Sequence, residues 1–226
     1  MEPKELIVEF LRSRLTDPRS RNFLKTETFT GDGSTTEYTL SPDSDFNIFY
    51  IKSIKVDGSE LNKWEDYTFD TSFQDKTITF STAPSNGSSI EITYGQGTTS
   101  WIYPDLAKVE LSASQYPRIN VLVINSTGTR LGNYTSDIGN VERYQVDIWV
   151  KENYYYTYNN RVYEGDKLAM LLARQISEAF KNYINDLYPK LHDYRYLNLR
   201  DAVWEVERQC FHVIFEFEIR GENLGE

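Results

Sequence analysis

Val141-Glu-Arg-Tyr-Gln-Val-Asp-Ile-Trp-Val150 alternates apolar and polar side chains at period two, the pattern of a half-buried strand. A polar, tyrosine-crowded loop follows from Glu152 to Asn160, and the next stretch predicts one long amphipathic helix from Val162 to about Leu187. On that helix Ala169, Leu172, Ile176, Ala179, Phe180, Tyr183 and Leu187 fall on one face, and Tyr188-Pro189 stops it. A strand that delivers one long helix is the unit with which a sheet buries its apolar face. No other segment of the chain can form a helix of that length.

On the N-terminal side of this unit, Tyr116-Pro-Arg-Ile-Asn-Val-Leu-Val-Ile124 reads as a strand covered on both faces. A Gly/Ser/Thr/Asn connector from Ser126 to Asn140 joins it to Val141. The two strands fit a long hairpin with its tip at Thr127 to Ile138. On the C-terminal side, strands are expected at Tyr194–Leu199 and from Ala202 to about Ile219. In the latter, Phe211, Val213, Phe215, Phe217 and Ile219 share one face; His212, Ile214, Glu216 and Glu218 share the other. At the start of the chain, Pro3 and Glu5 suit the first turn of a helix. Its stripe is Leu6, Ile7, Phe10, Leu11 and Leu15, and Asp17-Pro18 ends it.

Between these pieces the texture changes. From about Thr26 to Thr98 short strands recur with turns between them: Thr36–Leu40, Ile48–Val56, Asp66–Phe69, Lys76–Phe80 and Ser89–Tyr94. Asp57-Gly58 and Pro84-Ser-Asn-Gly87 are turn signals, and no helical period occurs there. The expected fold is therefore α+β: a mostly antiparallel sheet packed by the long helix and the N-terminal helix. That domain is split between residues 1–25 and 99–226, with an all-β, sandwich-like domain inserted at 26–98.

Composition narrows the function. The chain has 226 residues and a net charge of −10, which argues against gripping nucleic acid through its phosphates. Residues 26–98 hold twelve acids against four bases and carry most of that charge; residues 1–25, with six bases and four acids, are the basic piece. One cysteine, Cys210, permits no intrachain disulfide, and His192 and His212 are too few for a histidine-rich metal site. No apolar run reaches the roughly 20 residues of a membrane span. The N-terminus lacks the basic-then-apolar pattern of a secretion signal, so a soluble chain made in a cytoplasm is expected.

No nucleophile elbow, zinc-protease motif or phosphate loop is present, and neither catalysis nor a cofactor is expected. Gly31-Asp-Gly33 lacks the following helix that a phosphate site needs and reads as a turn. Asp43, Asp45 and Asp57 do not have calcium-loop spacing. Cys210 and His212 share a strand face, as a Cys/His pair requires, but the sequence identifies no third group to orient them. The most unusual local feature is Tyr154-Tyr-Tyr-Thr-Tyr158-Asn-Asn160. Tyrosine offers large contact area at low entropic cost, so Tyr154, Tyr155, Tyr156 and Tyr158 are candidate interface residues. Stacking on bases or sugars, or folding back over the chain's own core, are the other two readings. Arg130 and Tyr134, at the expected hairpin tip, join the candidate interface.

Two resemblances follow. Phe29-Thr-Gly-Asp-Gly-Ser-Thr-Thr-Glu-Tyr-Thr-Leu40, Ile54-Lys-Val-Asp-Gly58, Asp66-Tyr-Thr-Phe69, Thr77-Ile-Thr-Phe80, Ala83-Pro84 and Ile90-Glu-Ile-Thr-Tyr94 resemble a β module of bacteriophage structural proteins. The opening helix, Tyr116-Pro-Arg-Ile119, Tyr144-Gln-Val-Asp-Ile-Trp149 and Ala169-Met-Leu-Leu-Ala173 resemble the tail-terminator (tail-completion) proteins of long-tailed phages, whose compact members lack the insertion. The resemblance implies a virion protein of the tail or neck, assembled in the host cytoplasm. Its partners would be copies of itself in a ring, expected to be a hexamer, the tail-tube protein, and the head-completion or connector protein. DNA would pass through without specific binding. Such a ring caps the tube and ends its growth. A host-receptor or carbohydrate-binding virion component, or another head–tail completion protein, is the alternative.

Overall fold

The computed structural model describes residues 3–43, 45–69, 76–106, 112, 115–130, 138–183 and 191–222. Of residues 3, 125–130, 138–140, 191–193 and 220–222 it describes the backbone alone. The fold is α+β, with two helices and mostly antiparallel sheets among the described residues. The chain divides into two compact units: Met1–Arg19 with Trp101–Glu226, and Ser20–Ser100.

In the first unit, helix α1 (Pro3–Arg14) buries the stripe expected of it; Leu6, Ile7, Phe10, Leu11 and Leu15 are all inside. The sheet is built from β8 (Ile102–Tyr103), β9 (Arg118–Arg130), β10 (Ile138–Lys151), β13 (Leu191–Leu199), β14 (Val203–Glu205) and β15 (Cys210–Glu222). Its order is β13-β15-β10-β9-β8, and β14 pairs with β15 beyond the reach of β13. Among the described residues of this sheet, only the short β8–β9 contact is parallel. β9 and β10 form the expected long antiparallel hairpin, still paired at Arg130 with Ile138. Pairing thus extends well into the stretch read as a connector.

Alternation on β10 and β15 sends Tyr144, Val146, Ile148 and Val150, with Val213, Phe215, Phe217 and Ile219, into the core. Helix α2 (Gly165–Tyr183) covers that face, burying Leu168, Ala169, Leu172, Ala173, Ile176 and Phe180. Phe180 joins the layers: its ring lies 5.3 Å from Phe10, 4.5 Å from Phe217 and 5.2 Å from Tyr194.

The helix is shorter than its periodicity predicts. Residues 161–164 belong to strand β12 (Arg161–Glu164), which pairs with β11 (Tyr155–Tyr158), so the tyrosine-rich stretch read as a loop is a β-hairpin. Its turn residues Asn159 and Asn160 both have positive φ, 49° and 60°, as a two-residue type I′ turn requires. Gly165 then carries the chain from β12 straight into α2 at φ 46°, where a Cβ would lie 2.8 Å from the Phe211 ring. Only glycine fits there without strain. On the expected helix face, Tyr183 is exposed and Leu187 lies outside the described residues.

The second unit, Ser20–Ser100, contains only strands among its described elements. One sheet runs β1 (Asn22–Thr30), β7 (Ser89–Gly97), β3 (Asn47–Val56), β4 (Ser59–Glu60). The other runs β2 (Glu37–Thr39), β6 (Thr77–Phe80), β5 (Tyr67–Phe69), and side chains of both sheets share one apolar core. Strand β1 was not among the expected strands; its residues 22–25 fell in the basic piece, and the unit opens at Ser20, earlier than Thr26. β1 is an edge strand without a fully buried side chain, so its alternation carries little apolar signal.

Because Phe180 is fully buried among three aromatic rings, Phe180→Ala is expected to cost about 3–5 kcal/mol. Urea denaturation followed by fluorescence measures it, and a loss below about 1 kcal/mol would mean that these rings do not hold the layers together.

Candidate functional site

The β11–β12 hairpin stands on the N-terminal end of α2, and its alternation splits the tyrosine run. Tyr155, Thr157, Val162 and Glu164 are exposed and share the outward face; Tyr155 and Val162 are 61% and 65% exposed. Tyr156, Tyr158 and Tyr163 are only half-buried on the opposite face, where the Tyr156 and Tyr158 rings stack at 6.3 Å. Burial beside Tyr158 and Asp17 pushes the Tyr156 phenol up. Tyr154 is tied inward: its hydroxyl donates to the Pro18 carbonyl at 2.7 Å, and the Arg19 guanidinium lies 5.2 Å from its ring centre. Of the four tyrosines, the structure therefore offers Tyr155 fully to a partner, and Val162 joins it. Arg130 is the last residue of β9, with its backbone alone described, and Tyr134 lies outside the described residues.

A cleft of 630 Å³ opens beside residues 151–154, which lead into the hairpin, and is walled by Tyr116, Tyr154 and Trp204 with Arg19 and Lys151. Its cations are engaged by the protein itself. Arg19 donates to the Tyr116 carbonyl at 3.3 Å, and the Lys151 ammonium donates to the Arg208 carbonyl. At its rim Val203, Trp204 and Val206 add further exposed apolar surface. A second groove, of 600 Å³, runs between α2 and β13 and is floored by Met170, Leu171, Leu199 and Phe215.

The Cys210/His212 pair is not built as a nucleophile. Cys210 is fully buried against Tyr116 and Trp149, and burial pushes its thiol up, away from the thiolate. The His212 ring is stacked flat on Trp149 at 3.6 Å. Its Nε2 donates to Asp147 at 2.7 Å, and its Nδ1 lies 3.5 Å from Glu205. Asp147, itself buried, also accepts from Gln145. The sequence did not reveal Asp147 as the partner, because the contact depends on the register that sets Trp149 opposite His212 and Asp147 opposite Ile214. With a carboxylate at each ring nitrogen, the imidazole has no face left for a nucleophile. This cluster pins strands together.

The acidic turns are likewise committed. Asp32 accepts from the Ser34 and Thr35 backbone and from the Thr35 hydroxyl, which holds its carboxyl well below the usual range. Asp43 pairs with Lys25 and Gln96, and Asp57 accepts from Ser89, so the three aspartates considered for calcium do not converge. Among the described residues no group of three His, Cys, Asp or Glu side chains is placed to hold a metal ion. No described helix is long and apolar enough to cross a membrane.

No family model matches the chain, and no curated protein matches it.

Buried phenols make stability sensitive to base. Burial pushes Tyr194 from its ordinary value of 10 up to about 12, and burial together with the Glu142 carboxylate raises Tyr144 further. The native state thus keeps protons that the unfolded chain releases, so stability is intact below about pH 10 and falls as pH rises through the window up to about 12. Urea midpoints measured across this range should drop, and Tyr194→Phe and Tyr144→Phe should each flatten the decline. An unchanged slope in both variants would show that other groups carry it.

Proposed function

We propose that this chain is a structural subunit of the tail or neck of a long-tailed virion, assembling with its own copies into a ring that ends tail-tube growth and meets the head connector. The observation that carries the reading is the outward face of the β11–β12 hairpin. Tyr155 and Val162 are held in solvent by a two-residue turn on a hairpin anchored to α2, the longer of the described helices. Ordering exposed apolar side chains in this way serves contact with another surface. The sequence resemblance supplies the station. The exposed apolar rim at Val203, Trp204 and Val206 supports the same reading, as does the commitment of His212, Cys210 and the acidic turns to internal contacts. A ring of subunits each carrying a net charge of −10 would also let DNA pass without adhering.

A sugar-binding face should enrich tryptophan, and residues 26–98 hold only Trp64. Its ring stacks on Phe69 at 5.6 Å, and the Lys63 ammonium lies 4.9 Å from its centre, so much of the aromatic surface is already in use.

Virions assembled with Tyr155→Ser/Val162→Ser in place of the native chain test the function. Tails of uncontrolled length, from a variant whose circular dichroism is unchanged, are the expected result. Tails of normal length joined to heads, with only adsorption lost, would contradict the reading and favour a receptor-binding role.

A further inference from the structure

We infer that copies of this chain join by sheet extension, the outer edge of β9 on one copy pairing antiparallel with β13 on the next; this rests on the ring reading above. The backbone sets the requirement. β8 covers β9 only at Ile119 and Asn120, so from Val121 to Arg130 the one strand paired with β9 among the described residues is β10. At the other side of the same sheet, the one strand paired with β13 among the described residues is β15. Among the described residues no strand takes up the outward backbone donors and acceptors of either edge, and such an edge is a template for another strand.

Several features make the two edges fit each other. They are of similar length, ten residues at 121–130 and nine at Leu191–Leu199. Each step across β9, β10, β15 and β13 is antiparallel, so β13 runs opposite to β9. Copies placed side by side in one orientation therefore pair these edges antiparallel, a head-to-tail contact that closes into a ring when the rotation per copy divides a full turn. Setting Val121 opposite Leu199 and counting inward puts Val123 opposite Leu197 and Ile124 opposite Tyr196. Both runs are irregular at that point: Ile124 is the extra residue in β9 between the partners of Arg143 and Tyr144, and Leu197 is the extra residue in β13 between Tyr196 and Asn198. The two edges thus bend at the same place.

Side chains agree with the backbone. Val123 and Ile124 are each 45% exposed, and Tyr196 is 49% exposed. Tyr196 and Leu199 also line the apolar groove between α2 and β13, which an added strand would roof. Charge selects the same surface. Two copies at −10 each repel one another, and Val121-Leu-Val-Ile-Asn-Ser-Thr-Gly-Thr-Arg130 carries one formal charge, basic, and no proline or lysine to guard the edge. The bulge at Ile124 is one of the devices that can blunt an edge, but here it turns two successive apolar side chains outward.

Cysteine cross-linking tests the contact on the full chain, where the single native cysteine is buried and leaves no background. Ile124→Cys is combined in turn with Arg195→Cys, Tyr196→Cys, Leu197→Cys and Asn198→Cys, oxidised, and run without reductant. A ladder of covalent multimers from at least one double variant, but from neither of its single variants, is expected. In parallel, Val123→Lys/Ile124→Lys should sediment as a monomer with unchanged circular dichroism. If the lysine variant keeps the wild-type assembly mass and no pair cross-links, the β9–β13 contact is wrong and the ring reading stands on another interface. If the wild-type chain stays monomeric even with tail tubes present, both fall.

Discussion

The fold of the first unit depends on the seating of α2 against the central strands β10 and β15. Phe180 is its centre, stacked on Phe10 of α1 and on Tyr194 of β13 and tilted against Phe217 of β15. One residue thereby ties both helices and two strands into a single core. With that face of the sheet closed, the features left open among the described residues are its two edges and the hairpin at the start of α2. The opposite sheet face is stitched by charge and hydrogen bonds, including His212 to Asp147 and Arg143 to Glu216. Such pairs fix strand register more than they add stability.

Much of this was legible in the sequence because apolar periodicity is strong where a surface is buried on one side only. The stripe of α1 and the alternation of β10 and β15 follow from it. The errors fall where periodicity is weak or continues past a boundary. Val162 extends the apolar pattern of α2 backwards, yet the positive φ of Asn159, Asn160 and Gly165 turns that stretch into a hairpin. β1 hides because an edge strand buries little.

The candidate site was legible only in part. The tyrosine run stood out by composition, but composition does not say which rings point out. Pairing of β11 with β12 makes Tyr155 the outward residue and Val162 its companion, while Tyr154 bonds to Pro18. The Asp147–His212 contact needed two strands in register, which no local pattern encodes. Once register is known, the pair that invited a catalytic reading becomes a structural tie.

Among the described residues of the first unit, exposed apolar side chains stand on the hairpin (Tyr155, Val162), on the β9 edge (Val123, Ile124) and at Val203, Trp204 and Val206, surface that can serve contact with another chain. We propose that this contact is with other copies and that it closes. Native mass spectrometry of the purified chain, alone and with tail tubes, measures this directly. One discrete assembly at a fixed multiple of 26.4 kDa that does not grow with concentration is the expected result. A monomer in both conditions, or an open-ended series of masses, would contradict it.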